Sequence, residues 1–156
     1  MAQFEQTIAV DASADGVFDF VSDVRNVPQY LPAIERAEPQ QGERIHTQGH
    51  IGERPIDSDG YFRVNRAERR MEWGSDGEND YRGWLAVSGD GSRAEVKVHI
   101  DYAPPPQMQQ AMAARTPGGS FESAMYEGIG KTLISIKNLC EGRGGKEELE
   151  VNRQVS

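Results

Sequence analysis

Apolar and polar side chains alternate most cleanly near the middle of the chain. Ala94, Val96, Val98, Ile100 and Tyr102 share one parity, and Glu95, Lys97, His99 and Asp101 share the other. A period of two predicts a strand with one face on a core and one in water. A shorter, imperfect alternation of Phe4, Gln6, Ile8 and Val10 against Glu5, Thr7 and Ala9 predicts an opening strand. Between Ile34 and Tyr102, turn signals recur at Gln41-Gly42, Gly52-Glu53, Asp59-Gly60, Ser75-Asp76-Gly77 and Asp90-Gly91. Close spacing of turns predicts antiparallel hairpins, since parallel neighbours need crossovers of about a dozen residues.

Helical spacing appears on either side of this region. Val17, Phe20, Val21 and Val24 predict a first helix, with Ser13 placed to cap it. Pro28 and Pro32 bracket Tyr30-Leu31 and allow only a short second helix or turn. Pro104-Pro105-Pro106 ends the strands, and the Met- and Gln-rich stretch from Gln107 to Ala114 predicts a short helix closed by Thr116-Pro117-Gly118-Gly119. Phe121, Met125, Ile129, Leu133, Ile136 and Cys140 then recur at steps of three and four, a helix of about five turns. Ser120 is its expected N-cap and Gly142 its C-cap, with Lys137 and Arg143 suiting the dipole. A domain over 1–143 followed by a polar tail over 144–156 is expected.

Composition narrows the function. The chain has 156 residues, 37% of them hydrophobic, which suits one globular domain. Its formal net charge of −8 argues against nucleic acid as a partner, because phosphate binding needs clustered Lys and Arg. The same charge disfavours an anionic membrane surface, and no apolar run is long enough for membrane insertion. A single cysteine, Cys140, excludes an intramolecular disulfide and a multi-cysteine zinc site. The N-terminus lacks the pattern of a secretory signal, so a cytoplasmic location is expected.

Several segments carry a family resemblance. The run from Val10 to Phe18 resembles a strand-to-helix transition, and Asp23 with Pro28-Gln29-Tyr30-Leu31-Pro32 resembles a pair of short helices. Arg70-Met71-Glu72-Trp73 and Gly83-Trp84-Leu85 resemble mid-sheet positions. The run from Val96 to Pro105 resembles the last strand and its exit, and the run from Ile136 to Glu141 the helix ending. In this order, over roughly residues 3 to 142, they resemble the START-related, birch-allergen-like (SRPBCC) superfamily, in its polyketide cyclase/dehydrase-like branch. The resemblance implies an α+β helix-grip fold. A curved antiparallel sheet of about seven strands would wrap a long C-terminal helix, with a cavity between them. It implies no particular activity, since one fold hosts unrelated functions.

Within such a fold, Tyr61, Trp73, Tyr81, Trp84 and Tyr102 are candidates for a concave aromatic floor, closed by Tyr30, Met125, Tyr126 and Ile129. Large aromatics supply apolar area and one polar tip each, which suits a flat, mostly apolar ligand. They equally suit the plain core of a small sheet. Tyr81 and Trp84 have opposite parity, so a regular strand turns only one of them inward. Arg63 and Asn65 share the parity of Tyr61 and would anchor a carbonyl or carboxylate if that parity faces the cavity. If Phe62 and Val64 face inward instead, Arg63 is on the surface.

The remaining candidates favour structure over chemistry. His46 and His50 share a strand face but lie roughly 13 Å apart at about 3.3 Å per residue, too far to share a metal. His99 sits among charged neighbours and is expected in solvent, as are Glu53, Asp57 and Asp59 near a turn. Cys140 fits a helix core position with no base beside it. No catalytic residue, metal or cofactor is expected. Met108 and Met112 share a helix face, and the segment from Pro104 to Gly119 is expected near the pocket mouth as a gate. Three functions fit. One is binding of a small hydrophobic molecule such as an aromatic polyketide or lipid. Another is a cyclase or dehydratase using Arg63 or a Tyr hydroxyl on a carbonyl, and the third is an interaction protein with a filled, vestigial pocket.

Overall fold

The computed structural model describes residues 2–51, 54–75, 81–114, 116, 119–142 and 146–147, with the backbone alone at 51 and 54. The Gly52-Glu53 turn, Asp76-Gly77, Pro117-Gly118, Arg143 and most of the 144–156 tail lie outside the described residues. Strand β1 (Ala2–Val10) leads through α1 (Ala14–Val21), a 3-10 turn (Val24–Asn26) and α2 (Val27–Tyr30) into a run of strands. These are β2 (Ile34–Gln40), β3 (Arg44–Ile51), β4 (Arg54–Asn65), β5 (Arg70–Ser75), β6 (Arg82–Gly89) and β7 (Ala94–Tyr102). Helices α3 (Pro106–Ala114) and α4 (Phe121–Glu141) follow. The strands form one antiparallel sheet in the order β1-β7-β6-β5-β4-β3-β2.

Register carries one inward direction across the sheet. Gln6 is opposite Val98, Val98 opposite Leu85, Leu85 opposite Met71, and Met71 opposite Val64. Directly opposed residues share a face, so these five positions all point to the helical side. Val98, Leu85 and Met71 are almost fully buried there. Helix α4 packs along β1, with lighter contact to β7, and rests on α1, α2 and α3. Its buried stripe is Phe121, Met125, Ile129, Leu133 and Ile136, the helical spacing expected.

The helix ends follow local chemistry. Ser13 Oγ accepts from Gly16 N, and Ser120 Oγ accepts from Ser123 N, so both expected N-caps form. Gly142 sits at φ 70°, the left-handed C-cap conformation that favours glycine. Lys137 does not serve the last carbonyls of α4. Its ammonium donates to Glu141 Oε2 and to the Ala9 carbonyl of β1.

One turn expectation needs correction, and one turn forms where no turn signal was read. Asp59-Gly60 is no turn, because β4 runs unbroken from Arg54 to Asn65. Gly60 instead lies where the Gly74 carbonyl of β5 comes too close to leave room for a Cβ. A turn without glycine or proline, Arg66 to Arg69, joins β4 to β5. Asn65 Oδ1 accepts from Glu68 N there, and Arg69 takes φ 49°.

Gly49 is the tightest steric point between β2 and β3. A Cβ there would overlap the Ala33 carbonyl, which also accepts from His50 N at 2.9 Å. Gly49→Ala is expected to lower unfolding free energy by about 3 kcal/mol in a urea titration, the upper range for overpacking. Gly91→Ala meets open space and should stay within about 0.5 kcal/mol of wild type.

Candidate ligand-binding face

The inward parity divides the candidate residues. Phe62 and Val64 point to the helical side with Trp73 and Met71, their cross-strand partners. Tyr61 and Arg63 therefore lie on the outer face, and Trp84 lies there too, opposite Glu72 and His99. These three are not cavity residues, and the reason is parity. Tyr81 precedes β6 and packs inward while Trp84, three positions on, packs outward. The remaining assignments divide as well. Tyr30 is fully buried, its hydroxyl donating to the Val21 carbonyl at 2.8 Å, so it pins α2 to α1 instead of lining a cavity. Met125 and Ile129 are buried in the α4 stripe, whereas Tyr126 is 41% exposed beside Phe4.

What the fold does assemble inside is a row of aromatic rings. The Trp73 indole N–H lies beside the Tyr81 hydroxyl. Tyr81 meets Tyr102 edge-on at 5.2 Å, Tyr102 approaches Phe121 at 6.2 Å, and Phe121 meets Phe4 edge-on at 5.6 Å. Gly83 makes room for this row, since a Cβ there would press on the Trp73 ring. Burial pushes the Tyr81 phenol above its usual pKa, more than the Trp73 indole N–H lowers it, so it stays a neutral hydrogen-bonding group at neutral pH. Tyr102 donates to Met108 Sδ of α3 at 3.1 Å, and Met112 packs on the core, so both methionines of this segment turn toward the body of the fold.

Beyond that row the described residues cover the inner face incompletely. Val64 is 38% exposed, and Phe62 and Trp73 are only partly buried. Among the described inward positions from Ile56 to Tyr102 no strand carries a charged side chain. Phe62 and Val64 were legible only as one of two parities, and the register with Met71 decides between them.

The outer face is polar and largely occupied by its own side chains. Trp84 lies between the Arg70 guanidinium, 4.4 Å from its ring centre, and His99, stacked at 5.3 Å. Arg63 covers Tyr61 at 4.7 Å. A depression of about 270 Å³ beside Tyr61, Trp84 and Arg82 lies on this face, and a second of about 170 Å³ is lined by Tyr61 and Arg82 together with Ser75 and Tyr81; both are open to solvent. His99 is less exposed than expected, with its ring nitrogens on Glu5 and Asp101. Cys140 is half-buried, and burial pushes its thiol up to about 11, which suits a packed side chain and not a nucleophile.

The fold defines a helix-grip protein with an apolar inner face. In sequence, residues 1–127 match the family described as polyketide cyclase / dehydrase and lipid transport. The chain belongs to that family. No curated protein matches it. Among solved structures it is similar to the Zhui aromatase/cyclase from Streptomyces sp. R1128, with 15% identity and a TM-score of 0.67 over 99% of this chain and 96% of that one. A START superfamily protein from Mycobacterium smegmatis shares 15% identity, with a TM-score of 0.65 over 91% and 99% of the two chains. The di-domain ARO/CYC BexL from the BE-7585A biosynthetic pathway shares 21% identity, with a TM-score of 0.60 over 84% of this chain. This chain spans only 47% of BexL, about half its length. At these identities the likeness is one of fold. Among the described residues, no helix is long and apolar enough to cross a membrane.

Two measurements separate structural from binding roles. Tyr30→Phe removes one buried hydrogen bond and should cost about 1–2 kcal/mol of stability while leaving ligand affinity unchanged. On the outer face, the hydrogen bond to Asp59 chiefly raises the His46 pKa, with Asp57, Asp59 and Glu38 adding charge attraction. A raised imidazole stabilises the fold fully below its unfolded value, and that contribution is lost as pH rises through the folded one. Paired denaturation curves should therefore show His46→Gln destabilising the protein in mild acid and converging with wild type in mild alkali.

Proposed function

We propose that the chain binds a small hydrophobic molecule, of the aromatic polyketide or lipid kind, on the inner face of β3 to β5 beside the Trp73–Tyr81–Tyr102 row. One observation carries this reading. An inward face without charge is left partly uncovered at Val64, Phe62 and Trp73, where α4 has turned away toward β1. Contiguous exposed apolar surface of this kind favours an apolar ligand. The phenols of Tyr81 and Tyr102 supply the few polar tips that would orient it. Helix α3, tied to Tyr102 through Met108 and carrying no fully buried residue, suits the gating role expected of its segment.

The cyclase or dehydratase alternative loses its principal group, because Arg63 lies on the outer face 3.9 Å from Glu43. What supports it is the family description and the aromatase/cyclase neighbour, with a Tyr81 phenol as the remaining candidate to polarise a carbonyl. The vestigial-pocket alternative is supported by the tight filling between α4 and the β1–β7 half of the sheet.

The chain's two tryptophans lie on opposite faces, which makes the test direct. Trp84→Phe leaves Trp73 as the sole tryptophan reporter. Titration with 1,8-dihydroxyanthraquinone and with palmitate should then quench or shift its emission saturably for at least one probe. Val64→Arg should weaken that binding about tenfold, about 1.4 kcal/mol. If neither probe perturbs Trp73, the inner face is not a binding site of this kind.

A further inference from the structure

Two of the three exposed large hydrophobic residues among the described ones, Tyr126 and Ile134, lie on α4, each 41% exposed. Gly130 sits between them, one helical turn from each. This stripe flanks the outer edge of β1, which no strand of the sheet pairs on the side away from β7. The other sheet edge, β2, is blunted by Pro39 and by a register shift between Ile34 and Arg36. β1 has nine residues in unbroken register with β7 and no proline.

The direction of its backbone groups is fixed by what α4 does at one end. Lys137 reaches the Ala9 carbonyl and Glu141 accepts from Asp11 N, so odd-numbered positions turn to the open edge. Gln3, Glu5 and Thr7 therefore present their N–H and C=O groups there, and no described residue bonds them.

We propose that this edge and the Tyr126–Gly130–Ile134 stripe form one docking surface whose occupant is a second copy of the chain, related by a twofold axis at Gln6. Pairing centred on Gln6 sets Glu5 opposite the partner's Thr7 and Phe4 opposite the partner's Ile8, with no like charges opposed; Gln3 falls opposite the partner's Ala9, whose carbonyl Lys137 already holds, so the new backbone bonds are those between Glu5 and Thr7. Centring on Glu5 would set two carboxylates face to face, which is destabilising. The ion pairs of Glu5 with Lys97 and His99 run back into its own sheet and are kept. Gly130 lies nearest the axis, since a Cβ there would meet Gln6 Oε1 at 3.5 Å. A twofold axis at Gln6 runs the two α4 helices antiparallel and so brings Tyr126 toward the partner's Ile134. The surface is self-complementary, as a twofold interface requires. It also lies at the opposite end of the sheet order from β3 and β4, so it leaves the inner face open.

Sedimentation equilibrium of the full chain at low-micromolar to about 100 µM concentration should show a monomer–dimer equilibrium. Ile134→Glu should raise the dimer dissociation constant by about tenfold or more. Thr7→Glu should do the same by opposing the partner's Glu5. Within its own chain that new glutamate faces Lys97, so circular dichroism should stay unchanged. In a Cys140→Ser background, Gln6→Cys should form a disulfide-linked dimer on mild oxidation, because Gln6 faces itself across the axis. A strictly monomeric wild type, a dimer insensitive to both glutamate variants, or a Gln6→Cys chain that does not crosslink would each overturn the proposal.

Discussion

Val98 lies in register between Gln6 on one side and Leu85 on the other, and Leu85 in turn opposes Met71. Because strand side chains alternate with a period of two, one such chain of partners settles the orientation of every residue from β1 to β4. The clean alternation of β7 anchors it, since Val96, Val98 and Ile100 have no favourable place except the core. A slip of one residue would turn Lys97 and His99 into that core and expose three large apolar side chains. The register therefore decides what is floor and what is surface before any ligand is considered.

Its main consequence is a division between two aromatic populations. Tyr81 and Tyr102 meet edge-on inside with Trp73 on the same side of the sheet, where each partly buried aromatic contributes area as well as contact geometry. Trp84 and Tyr61 lie outside, and each is covered by a guanidinium from a neighbouring position. Such a pair adds about 0.5–1 kcal/mol at exposed sites, enough to order the outer face but far below what the inner packing supplies. The outer ion pairs are weaker still in effect, with both partners of Arg36–Glu38 more than half exposed. Tyr61 also lies against Gly74, where a Cβ would strike its ring. An aromatic over a strand glycine is a structural device, and with Arg63 already on the ring little of it is left for a ligand.

Much of the fold was legible because its strongest signals are local. The β7 alternation, the Phe121-to-Ile136 spacing, the Ser13 and Ser120 caps and the Gly142 stop all act within a few residues of where they are written. The errors arose where distant chain decides. Asp59-Gly60 looks like a turn, but Gly60 serves the close approach of Gly74 from another strand. The Arg66 to Arg69 turn carries no glycine or proline, and it forms because β4 and β5 must reverse there. The same limit applied to the site. Tyr61 and Phe62 are adjacent, and either is chemically suited to a ligand face. Only pairing with Gly74 and Trp73 assigns one to each side.

Helix α4 then explains why one half of the inner face is finished and the other is not. Its contacts concentrate on β1, with Lys137 and Glu141 fastening it to Ala9 and Asp11 at that strand's end. A helix held along an edge strand cannot also cover the middle of a seven-stranded sheet, because neighbouring strands are about 4.8 Å apart and a helix spans about 10 Å. Helices α1 and α2 fill part of the remaining space, and Tyr30 locks them together. The uncovered strip at Phe62, Val64 and Trp73 is thus set by where α4 is tied. Untying it to cover that strip would strip β1 of its packing instead. An apolar ligand would resolve this conflict without moving the helix, which is the physical basis of the proposal that binding occurs at that strip instead of a further collapse of the core.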